Sequence, residues 1–226
     1  MSQAPESSGP SAATPRATSP AAAIGIVGRS SSHFTRVTRI FAAELRVDYD
    51  FEVVPDLMAT DAAAFGGNPA LRLPVLRTPD GPWFGAISIC RELWRRSAQR
   101  PAVAWPEDLD RPFAANAQEL VLQAMSTEVA LIMGAATGAG AGQRQAKLRA
   151  SLLGSLAWLE EHATRALAMQ PPRRAFGTLE VTLYCLLDHL EFREVLPLAP
   201  YPRLRGLRDG FGARPSAVAT GYRFDR

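Results

Sequence analysis

The stretch GRSSSHFTRVTR, residues 28–39, places three consecutive hydroxyls, Ser30 to Ser32, between a short apolar run and an amphipathic segment. A serine in that position has two chemical uses. Its oxygen can cap a helix by accepting a backbone N–H one turn ahead. Its O–H can instead donate a hydrogen bond to a ligand.

Other reactive side chains are sparse. Cys90 and Cys185 are the only cysteines and form no C-x-x-C pair, which argues against a disulfide framework, a zinc site or a dithiol redox centre and fits a reducing compartment. Cys90 reads as a small buried apolar residue. Asp188, His189 and Glu191 cluster, but H-x-E spacing without a second nearby histidine makes a poor metal site and a good polar helix end, so no metal is expected. There is no G-x-S-x-G elbow for a serine hydrolase. The run GAATGAGAG, residues 134–142, follows a helical pattern rather than a strand, so it reads as a flexible loop and not a phosphate cradle.

The bulk composition narrows the class further. The net charge is +3, and Lys147 is the sole lysine in a basic set otherwise made of arginine. Without a basic run this charge does not suit a nucleic-acid surface. No apolar stretch reads as a membrane span and the N-terminus lacks a secretory signal, so a cytoplasmic protein with no membrane partner is expected.

Positioning these groups falls to an α/β pattern followed by a helical one. Residues 1–22 are Ser, Ala and Pro with almost no large apolar side chain, and read as a disordered tail. Ile24 to Val27 reads as a strand, and Phe34, Val37, Ile40, Phe41 and Leu45 form a helical stripe starting near Ser32. Tyr49 to Val54 and Leu73 to Leu76 read as further strands. Thr78 to Gly81 marks a hairpin turn continued by Trp83 and Phe84, and a helix follows through Ile87, Cys90, Leu93 and Trp94. These elements give a domain over residues 23–100. Residues 101–112, with three prolines, read as a linker. Residues 113–226 are helical throughout, with stripes at Leu122, Met125, Val129, Ile132 and Met133, at Leu148, Leu152, Leu156 and Leu159, and at Leu179, Leu183, Leu186, Leu187 and Leu190. Met125 and Met133 suit either core packing or an adaptable apolar ligand site.

This order resembles the cytosolic glutathione transferase family, which has a thioredoxin-like α/β N-terminal domain and an all-α C-terminal domain. NPALRLPVL, residues 68–76, with Asp80-Gly81 is similar to the family's N-P-x-x-x-V-P-V-L...D-G block. Ile89, Cys90, Arg91 and Leu93 resemble its I-C-x-x-L continuation, FGTLE at 176–180 its F-S-x-A-D helix start, and ARPS at 213–216 with Ala219-Thr220 its C-terminal ending.

The resemblance implies glutathione as co-substrate, a small hydrophobic electrophile, a homodimer and a detoxifying transferase. SHFTRVTR is similar to the serine-type pattern S-P-F-x-R-x-x-R, which selects Ser32, with Ser31 second, as the hydroxyl that holds the glutathione thiolate. His33 replaces the usual proline, reads as solvent-facing and receives no catalytic role. Leu73 and Pro74 resemble the cis-proline site that holds the cysteinyl backbone. Where the family carries E-S or D-S for the γ-glutamyl carboxylate, this chain has Gly85-Ala86. The N–H groups around Ala86 and Ile87, the Ser88 hydroxyl and the arginines Arg72, Arg29 and Arg36 are the available substitutes. The departure admits an alternative, a non-catalytic binding or interaction module of the same fold with weakened or lost glutathione binding. A third reading, an isomerase of the zeta branch, is suggested by the serine run and opposed by the residues after Ser31.

Overall fold

The computed structural model describes residues 24–138 and 141–225; the tail expected over 1–22 lies outside them. A four-stranded sheet has the order β2-β1-β3-β4, formed by β1 (Gly25–Gly28), β2 (Asp50–Val53), β3 (Val75–Thr78) and β4 (Gly81–Phe84). β1 and β2 run parallel, so the chain must cross over between them, and α1 (His33–Leu45) makes that crossing. Its Val37, Ile40, Phe41 and Leu45 recur at helical spacing and are all fully buried against the sheet. Arg46, with φ 51°, ends the helix in the left-handed region.

The antiparallel register pairs Val27 with Val75 and Val75 with Phe84. The end of β1, the start of β3 and the end of β4 therefore share one end of the sheet. Three connections leave or enter there: the serine turn, the Leu73-Pro74 step, and Gly85 leading into α2 (Ala86–Arg96). The expected strand at Leu73 begins at Val75 instead, because Pro74 carries no N–H for a ladder.

The second half is helical. α3 (Pro112–Ala136) packs along α4 (Gln143–Ala168), and α5 (Thr178–Phe192) packs against α1, α3 and α6 (Pro202–Gly212), followed by α7 (Pro215–Ala219). α3 is long and apolar enough to cross a membrane, a feature the sequence reading did not anticipate, yet it lies against α4 and α5 with Val121, Ala124 and Met125 buried. It continues past Gly134, where a loop was expected, to Ala136. Within residues 101–112, β5 (Val103–Ala104) pairs in parallel with β6 (Phe176–Gly177). Trp105 then sits 5.7 Å, and Phe176 5.0 Å, from Phe41 between ring centroids. The main apolar core is thus continuous from α1 through to α5.

Candidate functional site

Ser32 is the N-cap of α1. With φ −100° and ψ 125°, its Oγ accepts the Thr35 N–H at 3.3 Å. That bond uses an oxygen lone pair and leaves the hydroxyl proton free, since Ser32 Oγ donates to no described residue and the side chain is half-buried. Capping and donation to a ligand are therefore compatible on one atom. The turn is close-fitting: a Cβ on Gly28 would collide with the Thr35 side chain. Ser31 is half-buried, and its carbonyl accepts from His189. Ser30 is only 1% exposed, with its N–H donating to the Asp225 carboxylate at 2.7 Å.

At the same end of the sheet the Leu73–Pro74 peptide is cis, Leu73 is half-buried and Pro74 is buried. Asn68 shapes the approach: its Nδ2 donates to Arg72 O at 2.9 Å and its Oδ1 accepts the Ala70 N–H at 3.0 Å. α2 starts from Gly85, whose φ of 81° favours glycine, and no side chain caps its first turn. Ala86 is buried, Ile87 half-buried and Ser88 exposed. Arg72 is exposed, whereas Arg29 is half-buried and donates to Pro55 O at 3.1 Å.

Two expectations are overturned. Arg36, taken as an attractor of anions, is 2% exposed and lies between the two halves of the chain. It donates to Asp188 Oδ2 at 2.5 Å, Tyr184 Oη at 2.7 Å and Ala217 O at 3.1 Å, and its guanidinium lies over the Tyr222 ring. Burial opposes its charge, but the surrounding Tyr222, Cys185 and Asp188 hold it strongly protonated. His33, expected to face solvent, is 1% exposed. Its Nδ1 accepts the Phe34 N–H at 3.0 Å, so its proton sits on Nε2 and points to Met125 O at 3.0 Å. Burial, reinforced by nearby His189, holds His33 well below the ordinary histidine range.

Glu128 completes a cluster with these histidines. It is fully buried on α3, with Oε1 2.7 Å from His189 Nδ1 and Oε2 3.5 Å from His33 Nε2. By residue type the three could ligate a metal, their donor atoms lying within 4.8 Å of one another. Their hydrogen bonding uses them otherwise: the His33 nitrogen nearest Glu128 carries a proton, and Ser31 O engages His189 Nε2 at 2.9 Å. No sequence spacing announces this cluster, because His33, Glu128 and His189 come from three helices. Met125 is buried in the core and Met133 half-buried. Both thiols are inert by position: burial pushes Cys185 up to about 12 and Cys90 well above its ordinary value.

A depression of about 290 Å³ between α5 and α6, lined by Leu183, Leu187, Phe211 and Arg214, includes none of Ser32, Leu73 or Ala86. Ser32, Leu73 and Ala86 instead adjoin the end of the sheet shared by β1, β3 and β4.

Residues 31–95 match the family of the glutathione S-transferase N-terminal domain. A glutathione S-transferase from Methylobacillus flagellatus KT, solved with glutathione bound, superposes with a TM-score of 0.71 at 19% identity, over 89% of this chain and 100% of that one. One from Methylobacterium radiotolerans, in complex with glutathione sulfonate, gives 0.68 at 22% identity, over 90% and 97%. A Tau class enzyme from mango, Mangifera indica, gives 0.67 at 18%, over 89% and 93%. No curated protein matches the chain. The chain thus has the glutathione S-transferase fold, with residues 31–95 matching the family of its N-terminal domain.

Proposed function

We propose that this protein binds glutathione at the end of its sheet shared by Ser32, Leu73 and Ala86 and activates the thiol for attack on a small apolar electrophile. The observation that carries the reading is the Ser32 hydroxyl, whose oxygen is fixed by the Thr35 N–H while its proton remains to be donated. A free thiol titrates near 8.5; a hydroxyl hydrogen bond and the positive end of α1 both favour the thiolate, and each pKa unit corresponds to about 1.4 kcal/mol. Ser32 stabilises the thiolate and forms no bond to the electrophile. Leu73, with Arg72 beside it in sequence, offers its backbone to the cysteinyl part, and the uncapped N–H groups of Ala86, Ile87 and Ser88 receive a carboxylate. The relatives of this fold solved with glutathione or its sulfonate support the choice of ligand. A cytoplasmic homodimer serving detoxification completes the proposal.

Gly85-Ala86 supports a second reading, a module of the same fold without catalysis, because neither side chain can bond the carboxylate. Calorimetric titration with glutathione, repeated on Ser32→Ala, separates the two. Millimolar or tighter binding, with conjugation of an apolar electrophile lost in the variant, supports the enzyme. Binding without turnover in the wild type, or an absence of heat, removes the enzyme and selects the module.

A further inference from the structure

The buried His33, Glu128 and His189 have no part in the site as described so far. His189 Nε2 lies 2.9 Å from the carbonyl oxygen of Ser31, the residue before the N-cap. A carbonyl only accepts, so Nε2 carries a proton and donates it. The other ring nitrogen lies 2.7 Å from Glu128 Oε1, close enough that one further proton is shared between them. Wherever that proton resides, the pair is neutral overall, which makes a fully buried carboxylate tolerable. Other groups complete the setting: the His33 ring is 4.4 Å from His189 between centroids, Tyr222 packs edge-on at 5.0 Å, and Arg193 acts on Glu128 through its charge.

The connectivity gives this cluster a direction. Glu128 belongs to α3 and His189 to α5, both in the helical half, while Ser31 belongs to the turn after β1. His33 adds a second tie, donating from the first residue of α1 to the α3 backbone at Met125. We infer that His189 and Glu128 are positioning residues for Ser32: the His189 Nε2–H grips the Ser31 carbonyl, Glu128 fixes the imidazole, and the helical half thereby sets the direction of the serine hydroxyl. The inference rests on the reading of Ser32 as the thiol contact. A displacement of the turn would tilt the hydroxyl away from the sulfur while leaving the Leu73 and α2 contacts in place.

The test compares His189→Leu, Glu128→Leu, Glu128→Gln and Ser32→Ala in the full chain, each first checked for a cooperative thermal transition. His189→Leu is expected to raise the pKa of bound glutathione, read by thiolate ultraviolet absorbance, by about one unit and to lower kcat about tenfold at neutral pH, with KM for glutathione within about twofold. Glu128→Leu follows it, and Glu128→Gln, which still offers a hydrogen-bonding partner to Nδ1, recovers most of the loss. Adding His189→Leu to Ser32→Ala costs nothing more, because the histidine acts through the serine. An unchanged thiol pKa, or an equal loss in both backgrounds, overturns the inference. Stoichiometric zinc in the purified protein overturns it as well, since the histidines would then be ligands. If the wild type binds no glutathione, the functional proposal fails separately, and amide exchange decides the positioning. Exchange at Thr35 N–H about tenfold faster in His189→Leu sustains the grip on the turn, and unchanged exchange refutes it.

Discussion

Arg36 Nη1 of α1 and Asp188 Oδ2 of α5 stand 2.5 Å apart across the seam between the sheet-containing half and the helical half. The arginine is buried and also holds Tyr184 and the Ala217 carbonyl, so removing it strands those two acceptors and leaves Asp188, among the described residues, with only Arg208, 3.8 Å away. Arg36→Ala is expected to cost about 3 kcal/mol, the lower end for breaking a buried pair because Asp188 is 28% exposed. The shift in the urea midpoint, at constant m, measures it.

The failure to read Arg36 correctly shows where sequence reasoning stops. Val37, Ile40, Phe41 and Leu45 announce α1 through their spacing, and Pro74, Asp80 and Gly81 announce the hairpin, because those signals are local. What Arg36 and His33 touch depends on how α5 lies against α1, and on where α3 places Glu128. Those are relations between segments separated by 152 positions for Arg36 and Asp188 and by 61 for Glu128 and His189. Periodicity marks the buried face of each helix and is silent about its polar partners on another. The serine turn was legible because its cap and its family pattern both lie within a few residues. Even so, only the backbone geometry at Ser32 shows that one oxygen can cap the helix and still leave its proton available.

His33 ties stability to pH. Burial, then the neighbouring His189, depress its folded pKa, although the Met125 carbonyl pulls the other way. The unfolded chain takes up a proton near pH 6.5 and the folded chain does not, so this group removes stability as pH falls, by up to about 1.4 kcal/mol per unit until the folded value is reached. Glu128 has the opposite sign. Burial raises its pKa against the pull of His189, so its contribution weakens as pH rises through the carboxylate range. Comparing His33→Gln with the wild type isolates the histidine. The destabilisation measured in urea should shrink by roughly 1 kcal/mol between about pH 7 and about pH 5.5. A pH-independent difference would refute the neutral, buried assignment.

The two thiols provide a check on the packing. Cys90 and Cys185 are fully buried within the main core, and burial raises both above their ordinary range. Thiol reactivity follows thiolate content and access. A disulfide reagent should therefore label neither cysteine in the native protein, and both should react at the rate of global unfolding in denaturant. Rapid labelling of either thiol without denaturant would contradict the core as described.

The start of α2 offers the sharpest test of the proposed ligand. Gly85 has φ 81°, so restoring an acidic residue there forces a side chain into backbone space it disfavours, at a cost of about 1–2 kcal/mol. Ala86 has no such constraint. It is the first residue of the helix, where a hydroxyl is well tolerated and its backbone N–H is already unsatisfied within the helix. Ala86→Ser therefore adds one donor to the place where the carboxylate is proposed to bind, without altering the turn. A hydrogen bond to a charged group contributes about 1.5–3 kcal/mol, so glutathione affinity should rise by roughly ten- to a hundredfold. The gain should vanish for a glutathione analogue whose γ-glutamyl α-carboxylate is amidated. If Ala86→Ser leaves the affinity for glutathione itself unchanged, the carboxylate does not sit at the start of α2, and the ligand orientation proposed from Leu73 and Ser32 is wrong.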